Sequence, residues 1–296
     1  MEKWEQIARE FFPKEFEEYK KTLSDGRRPN SVSFTNIEGD VMRRDLTINA
    51  LFYDIDTREV VDLIGGVNDL KNGIVRTVGK PEERFNEDKL RILRAIRFAG
   101  RFGSDLDPEI DATLMKNSSL EGISGERIRD EFIKGIQSTK SVKHFLNLIK
   151  RYNLFSWIFN GLRVNDNFIE DKDPIIVIAT LLSNNNPNIL PKQLNNLKYT
   201  VDEIKGVTFL INLLNLTPEN AVQLKRAQKN SGLNDSQIYR FGKYQGIDDS
   251  LLKAFMTFNL SVSGEELMQK LNLKPGKELG LAINKAEYDN FKKLLK

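Results

Sequence analysis

Residues 87 to 102 read EDKLRILRAIRFAGRF, and this stretch decides the fold because apolar side chains recur in it at helical spacing. The pattern predicts a helix that runs through Glu87, ends at Gly103 and buries a broad apolar face. Because residues three apart share one side of a helix, Asp88 and Arg91 should lie together. A carboxylate acceptor beside a planar guanidinium donor suits the polar edge of a nucleobase. The simpler alternative is a surface helix with Glu–Arg pairs.

The same stretch carries arginines that point to phosphate. They are Arg91, Arg94, Arg97 and Arg101, spaced three, three and four residues apart. At these spacings the guanidinium groups form a row along one side of a helix. Guanidinium binds phosphate oxygens in bidentate fashion, so a polyphosphate fits such a row. The stretch therefore predicts a nucleotide site.

A second motif lies upstream, where residues 43 to 54 read RRDLTINALFYD. Asp45 and Asn49 are four residues apart, which places them on one side of either a helix or a strand. A carboxylate and an amide together suit the two hydroxyls of a ribose, and Arg44 suits a phosphate. The alternative is that Asp45 caps a helix and Asn49 is merely exposed.

Together these motifs resemble the class II tRNA nucleotidyltransferases, the CCA-adding enzymes, and the closely similar bacterial poly(A) polymerases. The resemblance covers most of the chain. It also includes SDGRRP at residues 24 to 29, VDLIGG at residues 61 to 66, SGERI at residues 124 to 128 and SGEELMQKLNLKPGKELG at residues 263 to 280. Several ordered motifs are more specific than any one short pattern.

The resemblance implies a role for each matching position. Asp45 and Asn49 would recognise ribose, with Arg44 near phosphate, while Asp88 and Arg91 would pair with the base of incoming CTP or ATP. Arg94 and Arg97 would support that helix and its phosphates, and Asp62 and Gly66 would form a hinge between head and neck. Glu126, Arg127 and Glu131 would brace the neck helix without direct chemistry.

The expected fold is α+β and mostly α, with a partial nucleotidyltransferase head of mixed sheet and helices followed by helical parts. Strand-like alternation before residue 80 and helical periodicity after it support this division. The predicted domains are a head at 1–80, a neck with the nucleotide-template helix at 81–150, a body at 151–240 and a tail at 241–296. Apolar residues 175 to 182 predict a buried helix.

The sequence departs from the family pattern at the metal site. Nucleotidyl transfer needs Mg²⁺ held by hard carboxylate oxygens, which the family supplies from an Asp-x-Asp strand after a Gly-Gly helix start. Neither element precedes residues 43 to 54, which we call the ribose motif. Asp54 and Asp56 form an Asp-x-Asp, but their place after that motif favours a hairpin turn. We therefore expect no catalytic or metal-binding residue in this chain.

The first residues predict how the carboxylates are supplied. Apolar residues at positions 4, 7, 8 and 11 predict an amphipathic helix over residues 2–12 that ends at Pro13 and needs a partner. In the family a helix follows directly after the Asp-x-Asp strand. The chain would then be the large piece of a split enzyme, with a small protein subunit that carries the Gly-Gly and Asp-x-Asp segment. The alternative is that these residues fold on the same chain and nothing is missing.

Composition excludes some chemistries. The chain has 296 residues, no cysteine and one histidine, so disulfides, thiolate catalysis and a zinc site are excluded, and His144 reads as a packing or surface residue. No signal peptide or membrane span is apparent, which favours a cytoplasmic protein. The net charge of +3 is small, so RNA contacts would have to come from local clusters.

The resemblance implies that body and tail hold the tRNA acceptor arm by its shape and backbone. A candidate cluster contains Lys225, Arg226, Lys229, Arg240 and Lys243, although solvated helix faces look the same. The predicted function is CCA addition to tRNA 3′ ends from CTP and ATP. The alternatives are a poly(A) or A-adding polymerase and a catalytically silent RNA- or nucleotide-binding protein.

Overall fold

The computed structural model describes residues 37–295. The chain divides into two units, residues 1–43 and 44–296, which are described separately. The described part of the first unit contains helix α1 (Ile37–Val41). Asp40 of this helix forms an ion pair with Arg43, with 3.0 Å between Asp40 Oδ1 and Arg43 Nη2. The amphipathic helix predicted over residues 2–12 lies outside the described residues.

The second unit begins with a single 3₁₀ turn and a hairpin. The turn covers Thr47–Asn49, and strands β1 (Phe52–Tyr53) and β2 (Val60–Val61) pair antiparallel. Asp54 closes the connection, since its Oδ1 accepts hydrogen bonds from the amides of Asp56 at 2.8 Å and Thr57 at 3.2 Å. These bonds hold the pKa of Asp54 below its ordinary value. The hairpin turn predicted here is confirmed.

Every further named element of the described second unit is a helix. After α2 (Gly66–Asn72) they are α3 (Pro81–Glu87), α4 (Leu90–Phe102), α5 (Pro108–Lys116), α6 (Gly125–Ser138), α7 (Val142–Arg151), α8 (Phe155–Ile158), α9 (Pro174–Leu181), α10 (Leu190–Asn196), α11 (Val201–Leu213), α12 (Ala221–Gln228), α13 (Asp235–Tyr244), α14 (Asp249–Thr257), α15 (Gly264–Leu271) and α16 (Lys277–Lys293). The expected fold class, α+β and mostly α, is confirmed. The predicted domain boundaries stay predictions.

Helix α4 lies at the centre of the packing that positions the candidate site. Its apolar face is buried as predicted, and it ends at Gly103, which adopts φ 71°. The helix packs against α6 and α7. A methyl group at Gly135 of α6 would lie 2.2 Å from the ring of Phe145 on α7, so only glycine allows this close approach. Burial of an aromatic side chain such as Phe145 stabilises the fold by about 1.5–3 kcal/mol.

Apolar side chains on α7 and in the loop after it are buried, namely Phe145, Leu148, Ile149, Tyr152 and Leu154. The apolar run at residues 175 to 182 forms the buried helix α9 and the residue that caps it. Helix α13 ends at Tyr244, and Gly246 adopts φ 69° in the connection to α14. Within residues 37–295, no helix combines the length and the hydropathy that a bilayer crossing requires.

Candidate functional site

The stretch that predicted one helix forms two. Helix α3 ends at Glu87, Asp88 is extended with φ −152° and ψ 104°, and α4 begins at Leu90. The break has a local cause, since Asp88 Oδ1 accepts a hydrogen bond of 3.1 Å from the Leu90 amide. Aspartate side chains that bond to a nearby backbone amide compete with helix continuation in this way. The prediction of a continuous helix through residues 87 to 91 is wrong at this point.

Asp88 and Arg91 each engage another residue. Asp88 Oδ2 accepts a hydrogen bond of 2.7 Å from Arg127 Nη2 on α6. Arg91 Nη1 donates to Glu87 Oε2 at 2.5 Å and to the Arg84 carbonyl at 3.2 Å. The acceptor and the donor expected to read a base are therefore both occupied by protein groups. Reading a base would require exchange of these partners.

Arg127 is the residue whose place the sequence analysis missed. It was expected only to brace the neck helix, yet its guanidinium touches Asp88 directly. The two residues are 39 positions apart, and helical spacing relates only residues a few positions apart. No signal in the single sequence links them.

The ribose motif comes together as predicted. Asn49 Nδ2 donates to Asp45 Oδ1 at 3.1 Å, and the Leu46 amide donates to the same oxygen at 2.9 Å. On the other side, Arg94 Nε donates to Asp45 Oδ2 at 2.5 Å. Burial of Asp45, which is 9% exposed, acts to raise the pKa of its carboxyl, but the hydrogen bond and charge of Arg94 hold that pKa below its ordinary value.

Arg94 and Arg97 converge on a second buried carboxylate. Glu131 of α6 is 5% exposed and accepts from Arg94 Nη1 at 3.3 Å and from Arg97 Nε at 2.9 Å. This is the bracing contact expected of Glu131. A chain of ion pairs thus runs from Asp45 through Arg94 to Glu131 and Arg97. Two of the arginines expected to form a phosphate row neutralise carboxylates inside the protein instead.

Arg44 lies against the ribose motif. Its Nη1 donates to the Asn49 carbonyl at 3.2 Å, and its guanidinium carbon lies 5.2 Å from the centre of the Phe52 ring. The side chain of Arg44 is exposed at the surface beside Asp45 and Asn49. The phosphate contact of Arg44 stays a prediction.

Asp62 and Gly66, the expected hinge residues, lie at the start of α2 and are joined by a hydrogen bond from the Gly66 amide to Asp62. Asp62 accepts from the amides of residues 64 to 67 at 2.9–3.2 Å, at the start of α2. Burial acts to raise the pKa of Asp62, and the four amides hold it below its ordinary value. A methyl group at Gly66 would lie 2.2 Å from the Thr47 carbonyl oxygen. Glycine therefore lets α2 contact the turn of the ribose motif, and the hinge motion stays a prediction.

Three of the five cations proposed for RNA contact bond to other groups of the chain. Lys225 Nζ donates to the Phe255 carbonyl at 3.1 Å, and burial lowers its pKa. Arg240 Nη1 donates to buried Asp171 at 2.6 Å, and Lys243 Nζ donates to Asp249 at 3.1 Å. These contacts tie body helices together, and a phosphate would have to displace them. Two cations of the group are exposed on or next to α12, namely Arg226 and Lys229.

The donor set for a divalent metal was tested in the described part of the chain. Among residues 37–295, no group of three or more His, Asp or Glu side chains converges as metal ligands. The carboxylate of Asp54 is engaged in its own turn. These residues therefore do not fit a Mg²⁺ site.

Comparison with known proteins identifies the family. The family model described as the poly A polymerase head domain matches residues 14–76, and that described as the probable RNA and SrmB-binding site of polymerase A matches residues 105–164. The CCA-adding enzyme of Ligilactobacillus salivarius is 31% identical over 287 residues, which cover 90% of this chain and 70% of that enzyme. The chain belongs to the CCA-adding enzyme family. The CCA-adding enzyme of Bacillus subtilis is 44% identical over 128 residues, or 43% of this chain and 32% of that enzyme.

Solved structures of family members share the fold. The Bacillus stearothermophilus CCA-adding enzyme in complex with CTP aligns with a TM-score of 0.62 at 19% identity, over 88% of this chain and 71% of that one. The Thermotoga maritima CCA-adding enzyme complexed with tRNA-CCA aligns with a TM-score of 0.62 at 19% identity, over 88% and 72%. At 19% sequence identity, these two alignments show that the chain shares the fold of those enzymes.

Proposed function

We propose that this chain selects the nucleotide and binds the tRNA in CCA addition, the transfer of CMP and AMP to tRNA 3′ ends. The observation that carries the proposal is the ion-pair chain from Asp45 to Glu131. It fixes the ribose motif against α4, whose first turn holds Arg91 and follows directly after Asp88. Family membership supports the same activity.

Base selection follows from the hydrogen-bonding pattern of Asp88 and Arg91. Cytosine and adenine each present an exocyclic amino donor beside a ring-nitrogen acceptor, whereas uracil presents a carbonyl acceptor beside an N–H donor. A carboxylate accepts from the amino group while a guanidinium donates to the ring nitrogen. CTP and ATP would therefore satisfy both side chains, and UTP would satisfy neither. At these ion pairs the side chains of Asp88 and Arg91 are 32% and 17% exposed.

The ribose motif has the capacity to accept a hydroxyl group. An ionised carboxylate offers about four acceptor positions. Asp45 uses two on Oδ1, for the Leu46 amide and Asn49, and one on Oδ2, for Arg94. A further position remains for a ribose hydroxyl, while the bonds already made keep the carboxylate in place.

The proposed reaction is attack of the tRNA 3′-hydroxyl oxygen on the α-phosphorus of CTP or ATP, with pyrophosphate as the leaving group. The Mg²⁺ that nucleotidyl transfer needs would be held by carboxylates outside the described residues, and it would supply charge neutralisation at the triphosphate. The proposal includes the expected small protein subunit that supplies the metal-binding carboxylates. In the given sequence no Gly-Gly or Asp-x-Asp pattern lies ahead of residues 43–54, and the subunit stays a prediction.

The test is incorporation of labelled nucleotide into tRNA that lacks its terminal CCA. The chain is assayed alone and with a co-expressed small polypeptide that carries the Gly-Gly and Asp-x-Asp segment, with CTP, ATP or both. Incorporation only in the presence of that polypeptide supports the full proposal. Full activity of the pure chain would contradict the need for a small subunit and would support the proposed nucleotidyl transfer. Binding without incorporation under every condition identifies a silent binding protein.

One alternative activity has its own support. The match to the poly A polymerase head domain fits addition of AMP alone. The same assay separates the two, because a CCA-adding enzyme stops after three residues, whereas a poly(A) polymerase extends a ladder from ATP without CTP.

A further inference from the structure

A cavity of about 360 Å³ lies between α11 and α12, far along the chain from the ribose motif. Side-chain amides dominate its lining, and they come from Asn188, Asn212, Asn215, Asn220 and Gln223, with Phe209 at the base. Among the residues that the structure describes, no charged side chain lines it. Its size falls in the range of small-molecule sites, which is about 300–1,000 Å³.

Two of these amides are held in place by the backbone. Asn212 Nδ2 donates to the Thr208 carbonyl at 3.0 Å, and Asn220 Nδ2 donates to the Asn215 carbonyl at 2.6 Å. Fixing the side chains before binding reduces the entropy cost of ordering them around a ligand. A carboxamide both donates and accepts, and it matches the polar edge of a nucleobase in geometry. The lining therefore suits a neutral, planar group with alternating donors and acceptors.

A second cavity of about 340 Å³ adjoins the first, since Phe209, Asn212 and Ala227 line both. Lys205 lines the second cavity and supplies the positive charge that the first does not have. Thr208 also lines it, and its Oγ1 is buried without a hydrogen-bond partner. An unsatisfied buried hydroxyl costs free energy that a ligand can recover by bonding to it. The second cavity is lined mainly by apolar groups, and Lys205 is its one charged side chain among the described residues. A nucleotide would therefore place its base among the amides and its phosphate at Lys205.

We propose that these adjoining cavities bind one unpaired ribonucleotide, with its nucleobase among the amides and its phosphate at Lys205. Helical RNA-binding repeats read single bases with two or three side chains in a comparable way. The site shares no residue with the ribose motif or with Asp88 and Arg91. It therefore goes beyond the proposed nucleotide-selecting site and would hold a nucleotide that is not being transferred.

The test compares a base-bearing RNA with one that has no bases. Binding of a fluorescein-labelled hexamer of adenosine nucleotides is measured by fluorescence anisotropy, with an abasic hexamer of the same backbone as a second probe. No triphosphate and no metal is present, so loss of nucleotidyl transfer would not affect the result. The double variant Asn188→Ala, Gln223→Ala removes two exposed amides from the lining. The control Asn196→Ala removes an exposed amide of α10 that does not line either cavity.

The full chain should bind the base-bearing hexamer more tightly than the abasic one. The double variant should lose roughly tenfold in affinity for the base-bearing hexamer alone, as expected for two lost hydrogen bonds. Lys205→Ala should weaken both probes equally, because it acts on phosphate. The control should change neither. Equal affinity of the full chain for both hexamers, or an unchanged double variant, would overturn the proposal.

Two further measurements identify the source of the base and its place. Competition by free AMP or CMP indicates a mononucleotide ligand, whereas competition only by unlabelled hexamer indicates RNA, and either supports a nucleobase site. A hexamer with one 4-thiouridine is cross-linked by light, and the modified peptide is identified by mass spectrometry. A cross-link within residues 206–229 supports the site. Cross-links confined to residues 44–131 would place the base elsewhere and contradict it.

Discussion

The two carboxylate–arginine groups of the candidate site differ in depth. Asp45, Arg94 and Glu131 form an inner group whose carboxylates are 9% and 5% exposed. Asp88 with Arg127, and Glu87 with Arg91, form an outer group whose carboxylates are more exposed, with the side chains of Asp88 and Glu87 at 32% and 46%. Breaking a buried ion pair by removing one partner is costly, whereas an exposed pair contributes little. The inner group is thus suited to hold the site and the outer group to exchange its partners.

The largest effect should come from Glu131→Ala, which breaks the inner group. It leaves two guanidinium groups without their shared carboxylate, and uncompensated buried charge costs about 3–5 kcal/mol. Urea denaturation of the purified variant measures the loss. The matched control is Glu82→Ala, which removes an exposed carboxylate from the first turn of α3 and should cost under about 0.5 kcal/mol. Equal free energies of unfolding for the two variants would contradict the stabilising role of the buried inner group.

Gly66→Ala should destabilise the support of the ribose motif without touching a charge. Its methyl group would meet the Thr47 carbonyl oxygen at 2.2 Å, so α2 has to move away from the turn. Such overpacking costs about 1–3 kcal/mol. The control is Gly280→Ala in α16, where a methyl group meets nothing within 4 Å and should stabilise the helix by about 0.5–1 kcal/mol. In thermal unfolding, the Tm should fall for Gly66→Ala and rise for Gly280→Ala. Tm shifts of the same sign would contradict this prediction.

The pH dependence of stability should come in part from Asp45. Its folded-state pKa lies below the unfolded value, which is ordinarily 3.8, because burial is outweighed by Arg94 and the neighbouring hydrogen bonds. The stability that the carboxylate contributes is therefore complete above the unfolded value and is lost as pH falls through the folded pKa. Between pH 7 and about pH 2, the free energies of unfolding of the native chain and Asp45→Asn should differ by a constant amount above the unfolded value of 3.8 and should converge below it. A constant difference over this range would show that charge is not the cause.

The inner group shows how far sequence reasoning reaches. Spacing alone placed Asn49 beside Asp45, because four residues bring side chains together in either regular structure. Apolar periodicity likewise predicted the buried face of α4 and its end at Gly103. Both inferences concern residues close in sequence, for which backbone geometry limits the possibilities.

The outer group shows where that reasoning stops. Asp88 could either continue a helix or bond to the Leu90 amide, and propensity alone does not decide between the two. Its partner Arg127 arrives from α6 through tertiary packing. The same limit applies to Lys225, whose carbonyl partners lie on α14 about 30 residues later. Lys225 and Arg240 looked like solvent-facing phosphate contacts, but they bond to groups of the protein, because only the fold brings their acceptors near.

The smallest effect on stability, and the largest on selectivity, should come from Arg91→Ala in the outer group. Its ion pair with Glu87 is partly exposed, so the variant should lose about 0–1 kcal/mol in urea denaturation. If Arg91 reads the ring nitrogen of the base, discrimination among CTP, ATP and UTP should disappear in the incorporation assay beyond any general loss of rate. Arg101→Ala removes an exposed arginine from the same helix and should keep the native preference. Unchanged base preference in Arg91→Ala would remove this residue from base selection while leaving the structural role of the inner group intact.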